Sequence, residues 1–179
     1  LHRVDRRQRQ MCIRDRPGSR ILETGIGTGS NIPHIPGGFQ DGCFYGIDIS
    51  ASMLRYCSKN LNRWGCPAQV FVARAERLPF KDRSFDVVFH LGSINIFENK
   101  GEAIEEMIRV SRPGTKIVIA DETEKANRLR DAFILPRLLS KGREDSAPPV
   151  GLVPRTMKDI RLDTIWNGYG YRIEFRVPA

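Results

Sequence analysis

Ile21-Leu-Glu-Thr-Gly-Ile-Gly-Thr-Gly29 is an apolar strand that ends in an acid and runs straight into three alternating glycines. A second apolar run, Cys43–Asp48, follows and ends in another acid. Bare backbone at the turn and a carboxylate at each strand end suit a nucleoside-bearing cofactor. Glycine permits the left-handed backbone and close approach that such a turn needs. An acid at the end of the second strand is placed for a ribose.

Working outward, short β-rich runs alternate with helical patterns, which predicts parallel strands joined by crossover helices. Ser19–Glu23 reads as the first strand, and Ser30–Ile35 as a short helix opening cut off by Pro36-Gly-Gly38. Ser50–Trp64 is a helix with Ser50 as N-cap and Gly65 at its end. Gln69–Ala73 and Phe85–Leu91 are strands, the latter apolar on both faces as a central parallel strand should be. Lys100–Val110 is helical, with Ala103, Ile104, Met107, Ile108 and Val110 as its buried stripe, broken by Pro113-Gly114. Lys116–Ala120 is the next strand.

Beyond it, Thr123–Ser140 reads as helix, interrupted at Pro136. Its Phe133, Ile134, Leu135, Leu138 and Leu139 either pack on the sheet or form an apolar lid. Residues 141–154 are a Pro- and Gly-rich connector, and Thr156–Asp159 adds one helical turn. Ile160–Trp166 and Tyr169–Val177 flank Asn167-Gly168, a strong hairpin signal. The expected fold is therefore α/β, Rossmann-like and doubly wound, with a mostly parallel sheet closed by a C-terminal antiparallel β-hairpin.

The 179 residues suffice for one domain, assigned to 17–179. Residues 1–16 carry six arginines against two aspartates, half of the formal charge of +8. Arg9–Arg16 resembles translated library-adapter sequence, so this stretch is expected to be foreign to the fold, with natural sequence missing upstream. A basic arm is the alternative. No apolar run approaches the roughly 18–20 residues that span a bilayer. The four cysteines form no CxxC pair and no ligand cluster, so reduced thiols, no metal site and a cytoplasmic location are expected.

The glycines alone do not choose the cofactor, but three observations do. A dinucleotide fingerprint places its third glycine at position 30, where this chain has Ser30. Glu23, two residues before Gly25, suits an ammonium-tailed sulfonium better than a pyrophosphate. No tyrosine has a lysine four residues on, as a short-chain oxidoreductase would need.

At this point the chain resembles the class I S-adenosylmethionine-dependent methyltransferases. The likeness rests on Glu23–Gly29, on Gly46-Ile-Asp-Ile-Ser50 with Met53-Leu54, and on Ala75-Glu-Arg-Leu-Pro-Phe80. Ser84-Phe-Asp-Val-Val88 and Arg109-Val-Ser-Arg-Pro-Gly114 continue it, so five blocks fall in family order over about residues 19–121. The nearest likeness is to the small-molecule branch, with quinone C-methyltransferases and phospholipid N-methyltransferases. The resemblance implies a seven-stranded sheet and S-adenosyl-L-methionine as cofactor. It would be cradled by Gly25, Gly27 and Gly29, oriented at its amino end by Glu23 and held at its ribose by Asp48. Ile49, Met53, Ala75 and Glu76 would flank the adenosine. One departure stands out: the family often has an acid before the alanine, and here Arg74, which cannot accept a hydrogen bond, takes that place.

His90 is expected to act as a base or to contact the cofactor's tail, against the plainer role of a hydrogen-bonder at a strand end. Ser93 and Asn95 are candidates for the acceptor side. The Asp/Asn-Pro-Pro-aromatic motif of amino-directed nucleic-acid methyltransferases is missing, and so is a Pro-Cys nucleophile. A small-molecule acceptor, quinone- or lipid-like, is therefore expected, reached in solution or by peripheral membrane contact. The rivals are an RNA or protein methyltransferase and a non-catalytic cofactor-binding fragment.

Overall fold

The computed structural model describes residues 18–35, 43–126 and 147–179. The expectations for residues 1–16, for Pro36-Gly-Gly38 and for most of the 123–140 helix and its lid stripe lie outside these residues. So does the first part of the 141–154 connector.

Strands β1 (Arg20–Thr24), β2 (Cys43–Asp48), β3 (Ala68–Val72), β4 (Phe85–Leu91), β5 (Ser111–Glu122), β6 (Lys158–Ile165) and β7 (Gly170–Arg176) form one sheet. Their order is β3-β2-β1-β4-β5-β7-β6. The first five are parallel, and β7 enters antiparallel between β5 and β6. Strand order reverses at β1, whose neighbours are β2 and β4. Open α/β sheets bind ligands at the carboxyl ends of strands at such a point.

Helix α1 (Ala51–Trp64) lies on one face of the sheet and α2 (Lys100–Val110) on the other. For α1 the Ser50 hydroxyl accepts from Met53 N at 3.3 Å, and Gly65 closes the helix at φ +64°. Leu54, Cys57 and Leu61 bury the inner stripe, packing with Ile21, Phe44 and Phe89. The other core holds Leu22, Val88, Ile104, Met107, Ile117, Tyr171, Ile173 and Phe175. Val88 and Phe89 thus go to opposite cores, which is why both faces of β4 carry apolar residues.

Some boundaries differ from expectation, each for a local reason. The chain leaves α2 at Ser111, whose hydroxyl bonds back to Met107 O at 2.7 Å, before reaching Pro113-Gly114. β5 consequently begins earlier and runs to Glu122. Thr156–Asp159 is not a helical turn. Met157 N bonds to Pro154 O at 2.9 Å, β6 starts at Lys158, and Asp159 takes φ +54° at an irregularity in the pairing with β7. The hairpin loop is wider than a two-residue Asn-Gly turn. Trp166, Asn167 and Gly168 all adopt positive φ, and the Trp166 ring folds over Gly170, where a Cβ would meet it at 2.3 Å.

Between β3 and β4 the family-like block contributes no helix but a loop held by Arg109 of α2. Its guanidinium donates to Leu78 O (3.1 Å), Phe80 O (2.9 Å) and Asp82 (2.6 Å) while pairing with Glu106. That fork of donors on a planar group is what lets one side chain satisfy two loop carbonyls at once.

Candidate cofactor site

A cleft of about 620 Å³ opens at the carboxyl ends of β1, β2, β3 and β4. This lies within the usual range for small-molecule sites, roughly 300–1,000 Å³. The glycine turn forms its floor, and the three glycines have separate reasons to be there. All have positive φ, at +69°, +56° and +77° for Gly25, Gly27 and Gly29. A Cβ on Gly25 would stand 2.8 Å from Ser93 Oγ and 3.0 Å from His90 Cε1, and one on Gly29 would stand 2.9 Å from Cys57 Sγ. Gly27 has open space around it, and its N–H donates to Asp48 Oδ2 at 2.9 Å.

Asp48 is the hub of the site. Oδ2 takes the Gly27 N–H and Oδ1 takes the Ser50 N–H at 2.8 Å, so the carboxylate is oriented by the turn and by the start of α1. A carboxylate has about four acceptor positions, so further donors can be taken. Next to it, Ile49 (67% exposed) and Met53 (45% exposed) give the cleft an apolar shelf.

The opposite rim comes from the loop after β3. Ala75 is buried, and the Glu76 carboxylate accepts from Asn99 N at 3.3 Å. Arg74 reaches across the rim to Glu98 and lies 3.6 Å from Glu76. The cation at the position where the family often has an acid is therefore met by two acids, one from each lip of the cleft.

Glu23 and His90 sit behind the lining. Glu23 is wholly buried, its Oε1 accepting from Asn31 Nδ2 at 2.8 Å and its Oε2 without a partner among the described residues. Burial pushes its carboxyl up to about 8, with Asp48 adding to the effect and the Asn31 bond opposing it. His90 is also wholly buried. Its Nδ1 lies 2.7 Å from Thr24 O, which requires the proton there, and Nε2 then accepts from Ser93 N at 3.1 Å. Burial holds the ring neutral, its pKa lowered to about 4 despite the Thr24 carbonyl and Asp48.

Gly25, Gly27, Asp48, Ile49, Met53, Ala75, Glu76 and Ser93 thus come together as lining, while Glu23, Gly29, His90 and Asn95 do not line the cleft. Asn95 is tied elsewhere: its N–H donates to Asp121 Oδ2, its Nδ2 to Glu122 O, and its Oδ1 accepts from Tyr171. Sequence reading missed Asn31, Phe97 and Glu98, which do line it. Asn31 carried a legible signal, a polar residue just past the turn; Phe97 and Glu98 carried none.

A family model described as a methyltransferase domain matches residues 21–114, just over half of the chain. The chain belongs to this methyltransferase-domain family. The whole cleft lining, from Gly25 to Glu98, falls inside the matched span. Among curated relatives, a phthiotriol/phenolphthiotriol dimycocerosates methyltransferase of Mycobacterium leprae (strain TN) is 31% identical over 105 residues, covering 58% of this chain and 38% of that protein. A ubiquinone/menaquinone biosynthesis C-methyltransferase of Burkholderia mallei (strain SAVP1) is 30% identical over 138 residues, covering 73% and 57%. The chain spans about half the length of the curated relatives it matches. A solved SAM-dependent methyltransferase from Aquifex aeolicus superposes with TM-score 0.74 at 20% identity, over 97% of this chain and 90% of that one. At that identity the likeness is one of fold. Among the described residues no helix is long and apolar enough to cross a membrane.

Proposed function

We propose that this chain binds S-adenosyl-L-methionine in the β1–β4 cleft and transfers its methyl group to a small-molecule acceptor. The observation that carries the reading is the Asp48 carboxylate, oriented by the Gly27 and Ser50 N–H groups beside a turn of three left-handed glycines. Acceptor positions remaining on an oriented carboxylate suit a ribose diol, and the Ile49–Met53 shelf suits an adenine face. Ala75 and Glu76 border the same end.

When bound, the cofactor supplies an electrophilic methyl on a sulfonium, a good leaving group. The chain's own task is then alignment and exclusion of water. We assign His90 to that task and not to proton transfer. Both ring nitrogens are engaged, and a group neutral down to about pH 4 is a weak base. By tying β1 to the loop after β4 it fixes Ser93 against Gly25. Ile96 and Phe97 give the rim near Ser93 an apolar character. That character, and relatives whose names refer to quinone and lipid-like products, support a quinone- or lipid-like acceptor encountered in the cytoplasm or at a membrane surface.

Calorimetry with S-adenosylhomocysteine tests the cofactor half. The parent chain should bind it, Asp48→Ala should weaken binding at least tenfold, and Gly27→Val should abolish it. No binding by the parent overturns the reading. Labelled methyl should then pass to extracted small metabolites and not to RNA or protein. Labelled RNA or protein would transfer the function to a macromolecular substrate, and binding without turnover would leave a cofactor-binding segment.

A further inference from the structure

The floor of the cleft holds a buried acid that does not reach the cleft itself. Glu23 points from β1 to the face of the sheet that carries α1, wholly enclosed, and its one hydrogen-bond partner among the described residues is the side-chain amide of Asn31. Asn31 does reach the cleft, half-buried beside Ser30 and the glycine turn. Because its Nδ2 donates to Glu23, the amide has a set direction: nitrogen inward, oxygen left over. That Oδ1 receives no donor from the described residues and is not enclosed.

A carboxyl oxygen accepts the amide N–H whether or not the acid is ionised, so the bond is open to the neutral Glu23 that burial favours. The Nδ2–Oε1 bond therefore sets the orientation of Asn31. The cleft is presented with a carbonyl oxygen backed by a carboxyl group, an arrangement that favours a ligand with N–H donors. A pyrophosphate or a carboxylate placed there would bring one acceptor against another.

We propose that Asn31 Oδ1 receives the ammonium of the cofactor's amino-acid end, with Glu23 acting through the Asn31 amide as a positioning residue. This rests on the cofactor reading above and adds to it a residue and a route by which a fully enclosed acid takes part. A cation at Oδ1 polarises the amide, strengthens the Nδ2–H bond to Glu23 and favours ionisation of its carboxyl group. The charge that Glu23 then takes on is offset by the ligand.

Two ligands that differ only at this end separate the inference from its premise. S-adenosylhomocysteine carries the ammonium, and 5′-methylthioadenosine keeps the nucleoside and thioether but has no amino-acid end. Calorimetry on the full chain should show that Asn31→Ala weakens S-adenosylhomocysteine at least tenfold, the scale of a charge-assisted hydrogen bond, and leaves 5′-methylthioadenosine within twofold. Glu23→Gln should shift the same ligand in the same direction by a smaller factor. A ligand-side comparison adds a second readout. Deaminated S-adenosylhomocysteine should bind the parent at least tenfold more weakly than the amine, and that ratio should collapse in Asn31→Ala. Equal losses for both ligands, or an amine preference that survives Asn31→Ala, would overturn the assignment to Asn31 while leaving the cofactor reading intact. If the parent binds neither ligand, the cofactor reading fails and this inference falls with it.

Discussion

Glu23 and His90 lie within a few residues of the same turn and respond to pH in opposite directions. For Glu23 the ordinary value of 4.5 rises to about 8 on burial. Between those values the unfolded chain has released a proton that the folded chain keeps. The folded state therefore loses stability as pH rises, by an amount on the order of 4–5 kcal/mol once pH exceeds 8. His90 falls from 6.5 to about 4. Its contribution is fully present above pH 6.5 and is lost as pH drops toward 4. The two oppose each other between pH 4.5 and 6.5, and Glu23 acts alone from 6.5 to 8. Urea unfolding of Glu23→Gln should accordingly show its stability relative to the parent increasing from pH 6.5 to pH 8. A constant difference across that window would mean the carboxyl titrates normally. The acid at position 23 was legible as a strand-end carboxylate; its enclosure was not, because the side of a strand on which a residue falls depends on what packs there.

At the scale of elements, both helices carry readable punctuation. Ser50 and Gly65 bracket α1 as anticipated. Asn99 caps α2 by accepting from Glu102 N at 3.1 Å, and the Asn-x-x-Glu spacing stands in the sequence just ahead of the expected start at Lys100, where the helix begins. Less legible was the loop between β3 and β4, whose carbonyls gather on one arginine. Removing that fork in Arg109→Met leaves Leu78 O and Phe80 O without their donor and should cost about 2 kcal/mol. The thermal midpoint should fall by roughly 4–8 °C. The same loop presents Ala75 and Glu76, so the variant should also bind S-adenosylhomocysteine more weakly. A stable variant with unchanged affinity would show that the loop holds itself.

Across the whole molecule, the C-terminal hairpin completes the core from one face and meets solvent with the other. Tyr171, Ile173 and Phe175 point into the core beside α2, while Arg172 and Glu174 alternate outward into pairs with Asp163 and Lys116. Period-two alternation of this kind fixes register, since a one-residue slip would bury the charges. The two faces should differ sharply in worth. Ile173→Ala should destabilise the chain by about 2–5 kcal/mol in denaturant unfolding. Arg172→Ala, which breaks partly exposed pairs, should cost about 1 kcal/mol or less. Comparable losses would show that the outer ion pairs act as a network and not as isolated surface contacts.

The sequence by itself determined the elements, their αβ alternation, the glycine turn and the acid that ends β2, because these depend on local propensity, periodicity and backbone conformation. It also carried the family, through blocks whose order survives without any knowledge of contacts. Tertiary structure alone decided which of those residues meet in the cleft. His90 near the end of β4 and Asn95 beyond it flank Ser93, yet only Ser93 lines the cleft; the other two are drawn into hydrogen bonds with β1 and β5. Asn31 enters the site for the converse reason: a buried carboxylate from another element turns its amide. Which polar atoms remain free is a property of packing between distant segments, and no local pattern encodes it.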